Sequence, residues 1–174
     1  AVDYLTMQEP YTSASPTTAA PYPAQCNWSM AQIAAHVADY VAAVHAEYPD
    51  VPFGDVESDH ASPAELAAWA QAYEAATGVP LAYLHLDVDW SFRSDWPERA
   101  LQVEQLMGAT TTPFGIIYNG LYTDTSSGAW IANALAHAAQ YEGQVGGSPQ
   151  HVDFQSWHRY PNQLFPDTDP NAMT

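Results

Sequence analysis

Hydrophobic positions along this chain switch repeatedly between two spacings. Segments 2–7 (VDYLTM), 51–57 (VPFGDVE), 81–89 (LAYLHLDVD), 113–119 (PFGIIYN) and 151–157 (HVDFQSW) alternate or run apolar as strands do. Between them, alanine-rich segments near 29–47, 63–77, 96–107 and 127–142 carry apolar stripes at helical spacing, such as Ile33, Val37, Val41 and Val44. The helix boundaries are punctuated. Ser62-Pro63-Ala64-Glu65 has the pattern of a capping box with proline in the first turn, and Gly78 stands where that helix should stop. Asp95 with Glu98, and Ser126-Ser127, mark two further starts, with Gly108 and Gly143 at the corresponding ends.

Strict alternation of strand and helix predicts an α/β fold whose parallel strands are joined by right-handed crossovers. Two architectures meet that description: an open doubly wound sheet, or a stretch of a (β/α)8 TIM-type barrel. A chain of 174 residues, 47% hydrophobic, suffices for one cored domain spanning 1–174. A complete barrel typically takes about 250 residues, so the barrel reading implies a partial barrel or one completed by association. The chain starts on Ala1 in a strand-like segment, and the expectation is a processed or excised piece of something longer. The stretches Pro10–Gln25 and Tyr160–Thr174 read as long loops following strand C-termini, where the active-site rim of either architecture lies.

Counting along the strands assigns faces. In 81–89, Ala82, Leu84, Leu86 and Val88 share the face suited to a helix layer, and Tyr83, His85, Asp87 and Asp89 share the other. The same count places Val51, Phe53, Asp55 and Glu57 together, with the two carboxylates expected to join Asp87 and Asp89 at a common concavity. Glu9, Asn119 and Gln155 with Trp157 close the first, fourth and fifth strands. Any one polar strand end has a bland explanation in the chain's need to emerge into water, but a carboxylate, amide or imidazole at every strand end points to a site.

Charge narrows the partners. Twenty acidic residues face only three cations, Arg93, Arg99 and Arg159, for a formal net charge of −17. Such a field repels phosphate backbones and anionic membrane surfaces, so neither nucleic acid nor a membrane is an expected partner. A salty or acidic habitat would account for the charge equally well. No apolar run approaches the roughly 20 residues of a bilayer span, and the N-terminal segment lacks signal-peptide character, so the chain reads as soluble. A secreted location is compatible with this reading, and the sequence assigns no compartment. Cys26 is the only cysteine, so no internal disulfide can form. Asn27-Trp28-Ser29 matches a glycosylation acceptor, with a helix cap at Ser29 as the more ordinary use. No glycine-rich phosphate loop or nucleophile elbow is present, and no cofactor is expected.

The segments MQEPYTS, GDVES, HLDVDW, PFGIIYNG and QSWHRYP resemble the successive strand ends of a (β/α)8-barrel glycoside hydrolase, as if strands four to eight had been kept. The resemblance implies cleavage of a glycosidic bond in a carbohydrate substrate by a pair of carboxylates. Glu9, in the Glu-Pro pattern, would be proton donor, with Glu57, Asp55 or Asp87 as nucleophile or base. Tyr83, His85, Asp89, Trp90, Tyr118, Asn119, Gln155 and Trp157 would bind substrate, the aromatic rings stacking on sugar faces. One departure is that GIIYNG offers only Asn119 where the common retaining clan carries its second carboxylate. The pair is then arranged differently, catalysis has been lost, or the strand numbering is shifted. Missing strands would leave open sheet edges that call for self-association or a partner chain.

Two other function classes stay open at this point. His85, Asp87, Asp89, Glu57 and Glu9 could supply ligands to a metal-dependent barrel hydrolase or isomerase, although no spacing is diagnostic and no metal ligand is assigned. A non-catalytic carbohydrate-binding protein would keep the aromatic rim without a working carboxylate pair.

Overall fold

A computed structural model of the chain describes residues 2–15, 26–91, 94–163, 165–166, 168–169 and 172–173. Much of the first long loop, residues 16–25, and Arg93 lie outside the described residues. The elements alternate as the sequence predicts: β1 (Leu5–Gln8), α1 (Met30–Glu47), β2 (Phe53–Ser58), α2 (Pro63–Thr77), β3 (Leu84–Asp87), α3 (Trp96–Met107), β4 (Phe114–Tyr118), α4 (Ser127–Ala138) and β5 (His151–Phe154). The strands are shorter than the apolar runs that announce them.

Local chemistry sets the helix ends. Ser29 caps α1 and Ser62 caps α2, each by accepting the amide of the residue three positions on while that residue's side chain returns to the cap backbone. Ser29 thus has its structural use within the acceptor sequence. Gly78 takes the left-handed conformation (φ 79°) that ends α2. Asp95, expected to cap α3, makes no side-chain capping bond, and the helix instead begins on Trp96-Pro97, both buried. The helix expected over 127–142 remains α-helical only to Ala138 and then widens into a π-helix, Ala139–Gln144. In that wider turn Tyr141 is fully buried and its hydroxyl donates to Glu104 of α3.

The five strands are all parallel and lie in the order β1-β2-β3-β4-β5. This order determines which face the helices cover. A doubly wound sheet reverses its strand order once, which puts helices on both faces. Here every crossover steps the same way, so right-handed connections put all helices on one face. Consistent with this, α1 packs on α2 and α2 on α3.

Register then fixes which residues share a side. Met7, Asp55, Leu84 and Phe114 form one row, and Glu57, Leu86, Ile116 and Val152 another. Both rows face the helices, where Leu66, Trp69, Tyr73, Ala100, Val103 and Met107 complete the core. The intervening rows, Gln8-Val56-His85-Gly115-His151 and Ser58-Asp87-Ile117-Asp153, face the other way. No described helix covers them.

On this second face two large rings lie flat over glycines. A β-carbon on Gly54 would sit 2.0 Å from the Tyr83 ring, and one on Gly115 would sit 2.3 Å from the His85 ring. The rings themselves stack at 4.2 Å, Tyr83 shares a hydrogen bond with Thr6, and His85 Nε2 lies 3.4 Å from His151 Nδ1. Burial first, and the neighbouring His151 second, hold the His85 pKa down to about 4. Gly115→Ala should therefore lift the His85 ring from its seat, costing roughly 1–3 kcal/mol in urea unfolding and moving the His85 titration, followed by NMR, upward toward the ordinary imidazole range. An unchanged His85 titration would refute this account of the layer.

Candidate functional site

The chain leaves β1 through Glu9, whose amide still donates to Val56 O (2.7 Å) and whose backbone is left-handed (φ 50°), a conformation that costs energy outside glycine. It then folds into a tight turn, and the turn is held from below by Glu57. The Glu57 carboxylate accepts the amides of Tyr11 (2.7 Å) and Thr12 (2.9 Å) and is itself completely buried. Beside it, Trp69 Nε1 of α2 donates to Asp55 Oδ2 (2.7 Å), and the Tyr11 ring stacks on Trp69 at 5.7 Å. Asp55 and Glu57 are thus struts on the helix side of β2.

This placement corrects the sequence expectation. Asp55 and Glu57 do not join Asp87 and Asp89 at a common concavity; they share the face of Leu84 and Leu86, and the cleft carboxylates lie on the other. The physical reason is hydrogen bonding. An indole N–H and two backbone amides satisfy carboxylates that would otherwise be too costly to bury. Phe53 carried the signal, because it shares their parity and needs the core.

The other face ends in a cleft of about 320 Å³ at the C-terminal strand ends. Of the residues singled out from sequence, Glu9, Asp87, Asp89, Trp90, Asn119 and Trp157 line it. Tyr118 does not: it is buried on the helix side with its hydroxyl donating to Glu142 (2.8 Å). Tyr83 and His85 lie further down the sheet in the ring layer, and Gln155 is outside the lining. Tyr122, an aromatic the sequence also places near the rim, lines it too, and the structure adds Ser58, His60 and His158. Ser58 was findable, since its register partner is Asp87. His60, by contrast, belongs to a loop that no periodicity describes, and Ser58 Oγ holds its Nδ1 at 2.8 Å.

The neighbouring loops set the cleft walls. Trp90 stacks face to face on His137 (4.2 Å, 8°), and His137 Nδ1 pairs with the Asn119 carbonyl (2.8 Å), tying the ends of β3 and β4 to α4. Arg99 donates to the carbonyls of Asp59 (3.0 Å) and Ala61 (2.9 Å), so this cation fastens the β2–α2 loop. Tyr122 and Trp157 remain largely exposed, at 64% and 57%.

Electrostatics singles out Asp87. Burial, then repulsion from Glu9, Asp59 and Asp89, pushes its pKa up to about 7, against a hydrogen bond from Trp157 that favours the charge. Glu9 is also raised, chiefly by burial, with His60 and Ser13 pulling the other way. Burial raises the struts too. Asp55 goes well above the usual range, and Glu57 reaches about 7 despite its hydrogen bonds. Among the described residues, no group of three or more His, Cys, Asp or Glu side chains is arranged to hold a metal ion, and no helix is long and apolar enough to cross a membrane.

Comparison with known proteins found no matching family profile, no matching curated protein and no matching solved structure.

The raised carboxyl groups link protonation to stability. Each binds its proton more tightly folded than unfolded, so its contribution is complete below the unfolded value near 4 and is lost as pH rises through the higher folded value, which for Glu57 and Asp87 is about 7. The depressed groups His85 and His137 act oppositely, and only below their ordinary value of about 6.5. Between pH 6.5 and 8 the carboxyl groups act alone, and the melting temperature should fall. Asp55→Asn should keep stability at pH 6.5 within about 1 kcal/mol and flatten that slope, whereas Glu57→Gln turns a donor toward backbone amides and should cost roughly 1–3 kcal/mol. A melting temperature that holds level or rises from pH 6.5 to 8 would contradict this assignment.

Proposed function

We propose that the chain is a glycoside hydrolase-like enzyme built on a partial (β/α)-barrel, with its site in the cleft at the strand ends. One-way winding, helices on one face and a polar second face support the barrel reading. On that reading the exposed strands β1 and β5 adjoin further strands of a longer polypeptide or of another chain.

The observation that carries the chemistry is a coupled pair of carboxylates, Glu9 from the end of β1 and Asp87 from the end of β3, lining one cleft with exposed aromatic rings. Two carboxyl groups with separated proton affinities can divide glycosidic cleavage between acid and base or nucleophile. Asp87, near half protonation at pH 7, suits the proton donor. Glu9, on the same cleft, then takes the part of base or nucleophile. These roles reverse those implied by the Glu-Pro resemblance. Trp157 and Tyr122 supply sugar platforms, and Asn119 a polar contact.

The reading is tested by release of reducing ends from a panel of glycans. Asp87→Asn and Glu9→Gln should each lower kcat by about 10²–10⁴-fold. The alkaline limb of the wild-type rate profile should fall near pH 7, where Asp87 loses its proton. Trp157→Phe removes the hydrogen bond favouring the Asp87 charge while keeping a ring, and should move that limb upward. Glycan binding by the wild type with no turnover on any substrate would make this a sugar-binding protein and end the enzymatic reading.

A further inference from the structure

The cleft has a one-sided charge inventory. Its ionisable lining consists of the carboxyl groups Glu9, Asp87 and Asp89 and the imidazoles His60 and His158, and no arginine lines it among the described residues. The chain has no lysine at all. Of its three arginines, Arg99 is engaged with backbone carbonyls at 3.0 and 2.9 Å, Arg159 lies over the Tyr160 ring, and Arg93 lies outside the described residues. A uronate, sulfate or phosphate group entering this cleft would meet carboxylates and, among the described residues, no arginine. A glycan carrying protonated amines would meet the reverse situation.

Three further observations make the cleft a site for such a group and more than an acidic patch. It is a formed concavity of about 320 Å³ with rings on its wall. The carboxyl groups approach closely enough that Glu9, Asp59 and Asp89 each raise the proton affinity of Asp87, a repulsion that a bound ammonium would relieve. Trp90, only 8% exposed, lines the cleft, and its buried indole N–H has no hydrogen-bond partner among the described residues, a donor left unsatisfied in the cleft wall.

We propose that the cleft is selective for amino-sugar glycans, of the glucosamine type, with ammonium groups received by Glu9, Asp89 and Asp87 and sugar rings carried by Trp157 and Tyr122. This rests on the cleft being the functional site, and it specifies the substrate class that the hydrolase reading leaves open. Asp89 stands at the mouth, largely exposed, with Oδ1 accepting from the Ser91 amide (3.1 Å) and hydroxyl (2.8 Å), so its carboxylate is oriented before a ligand arrives.

The experiment is calorimetric titration at pH 7 with a glucosamine tetramer, its fully N-acetylated counterpart and a galacturonate tetramer, each at low and at 0.5 M salt. The glucosamine tetramer should bind about tenfold or more tightly than the acetylated one and lose most of that advantage at high salt, since screening shortens the reach of the carboxylates. Galacturonate should not bind. Asp89→Asn and Glu9→Gln should each weaken glucosamine binding about three- to tenfold. Asp39→Asn, on an exposed part of α1, controls for attraction to the acidic protein at large and should have no effect. Equal binding of the free and acetylated tetramers, preference for galacturonate, or an effect of Asp39→Asn as large as that of Asp89→Asn would overturn the proposal. Reducing-end assays on the same oligomers separate it from the hydrolase reading. Selective glucosamine binding without turnover removes the enzyme and keeps the selectivity, whereas turnover of acetylated or neutral glycans with no glucosamine preference removes the selectivity and keeps the enzyme.

Discussion

The pair of hydrogen bonds from the Tyr11 and Thr12 amides to the Glu57 carboxylate governs the layout of the cleft end of the molecule. A backbone turn that leaves a strand and folds back over a sheet must have its amides satisfied, and a buried carboxylate satisfies two at once. Because Glu57 is fixed in β2 and backed by the Asp55–Trp69 bond, the turn it holds is referred to the sheet and to α2 together. Glu9, immediately before that turn and in a left-handed backbone conformation, inherits its position from this arrangement. The carboxylates of β2 therefore act on the cleft at one remove: they decide where another carboxylate stands.

That division of labour explains what the sequence disclosed. The helices were legible because their ends carry local chemistry: the Ser29 and Ser62 caps, Pro63 and Gly78 need no tertiary context to be read. β3 was legible because leucines and a valine alternate with Tyr83, His85 and Asp87, so only one face could be the core. In β2 the alternation is Phe53, Asp55, Glu57 against Gly54, Val56, Ser58, and neither set is cleanly apolar. Partners more than ten residues away in sequence, Trp69 for Asp55 and Tyr11 and Thr12 for Glu57, settled the matter. The π-helical turn after α4 depends in the same way on Glu104 of another helix.

Charge shapes the molecule at two scales. Across the surface, −17 is a diffuse repulsion. Within the fold it becomes a set of particular placements in which scarcity of cations matters more than abundance of anions. Arg99 closes the β2–α2 loop through carbonyl oxygens, and the buried acids Asp55 and Glu57 accept N–H donors from an indole and from backbone amides. Such groups keep their protons further up the pH scale than paired acids do, so part of the acidic formal charge is absent from the interior near neutrality.

The monotonic order of the sheet has a constructional consequence. Each strand touches only the strands before and after it in sequence, and each helix lies over the same side. A unit of one strand and one helix could be added at the flank of β1 or of β5 without rethreading the existing chain, because the outermost strand already presents backbone donors and acceptors in the required direction. Growth of this kind is modular in the way masonry is: a course laid at the end leaves the earlier courses, and the cleft they frame, where they were.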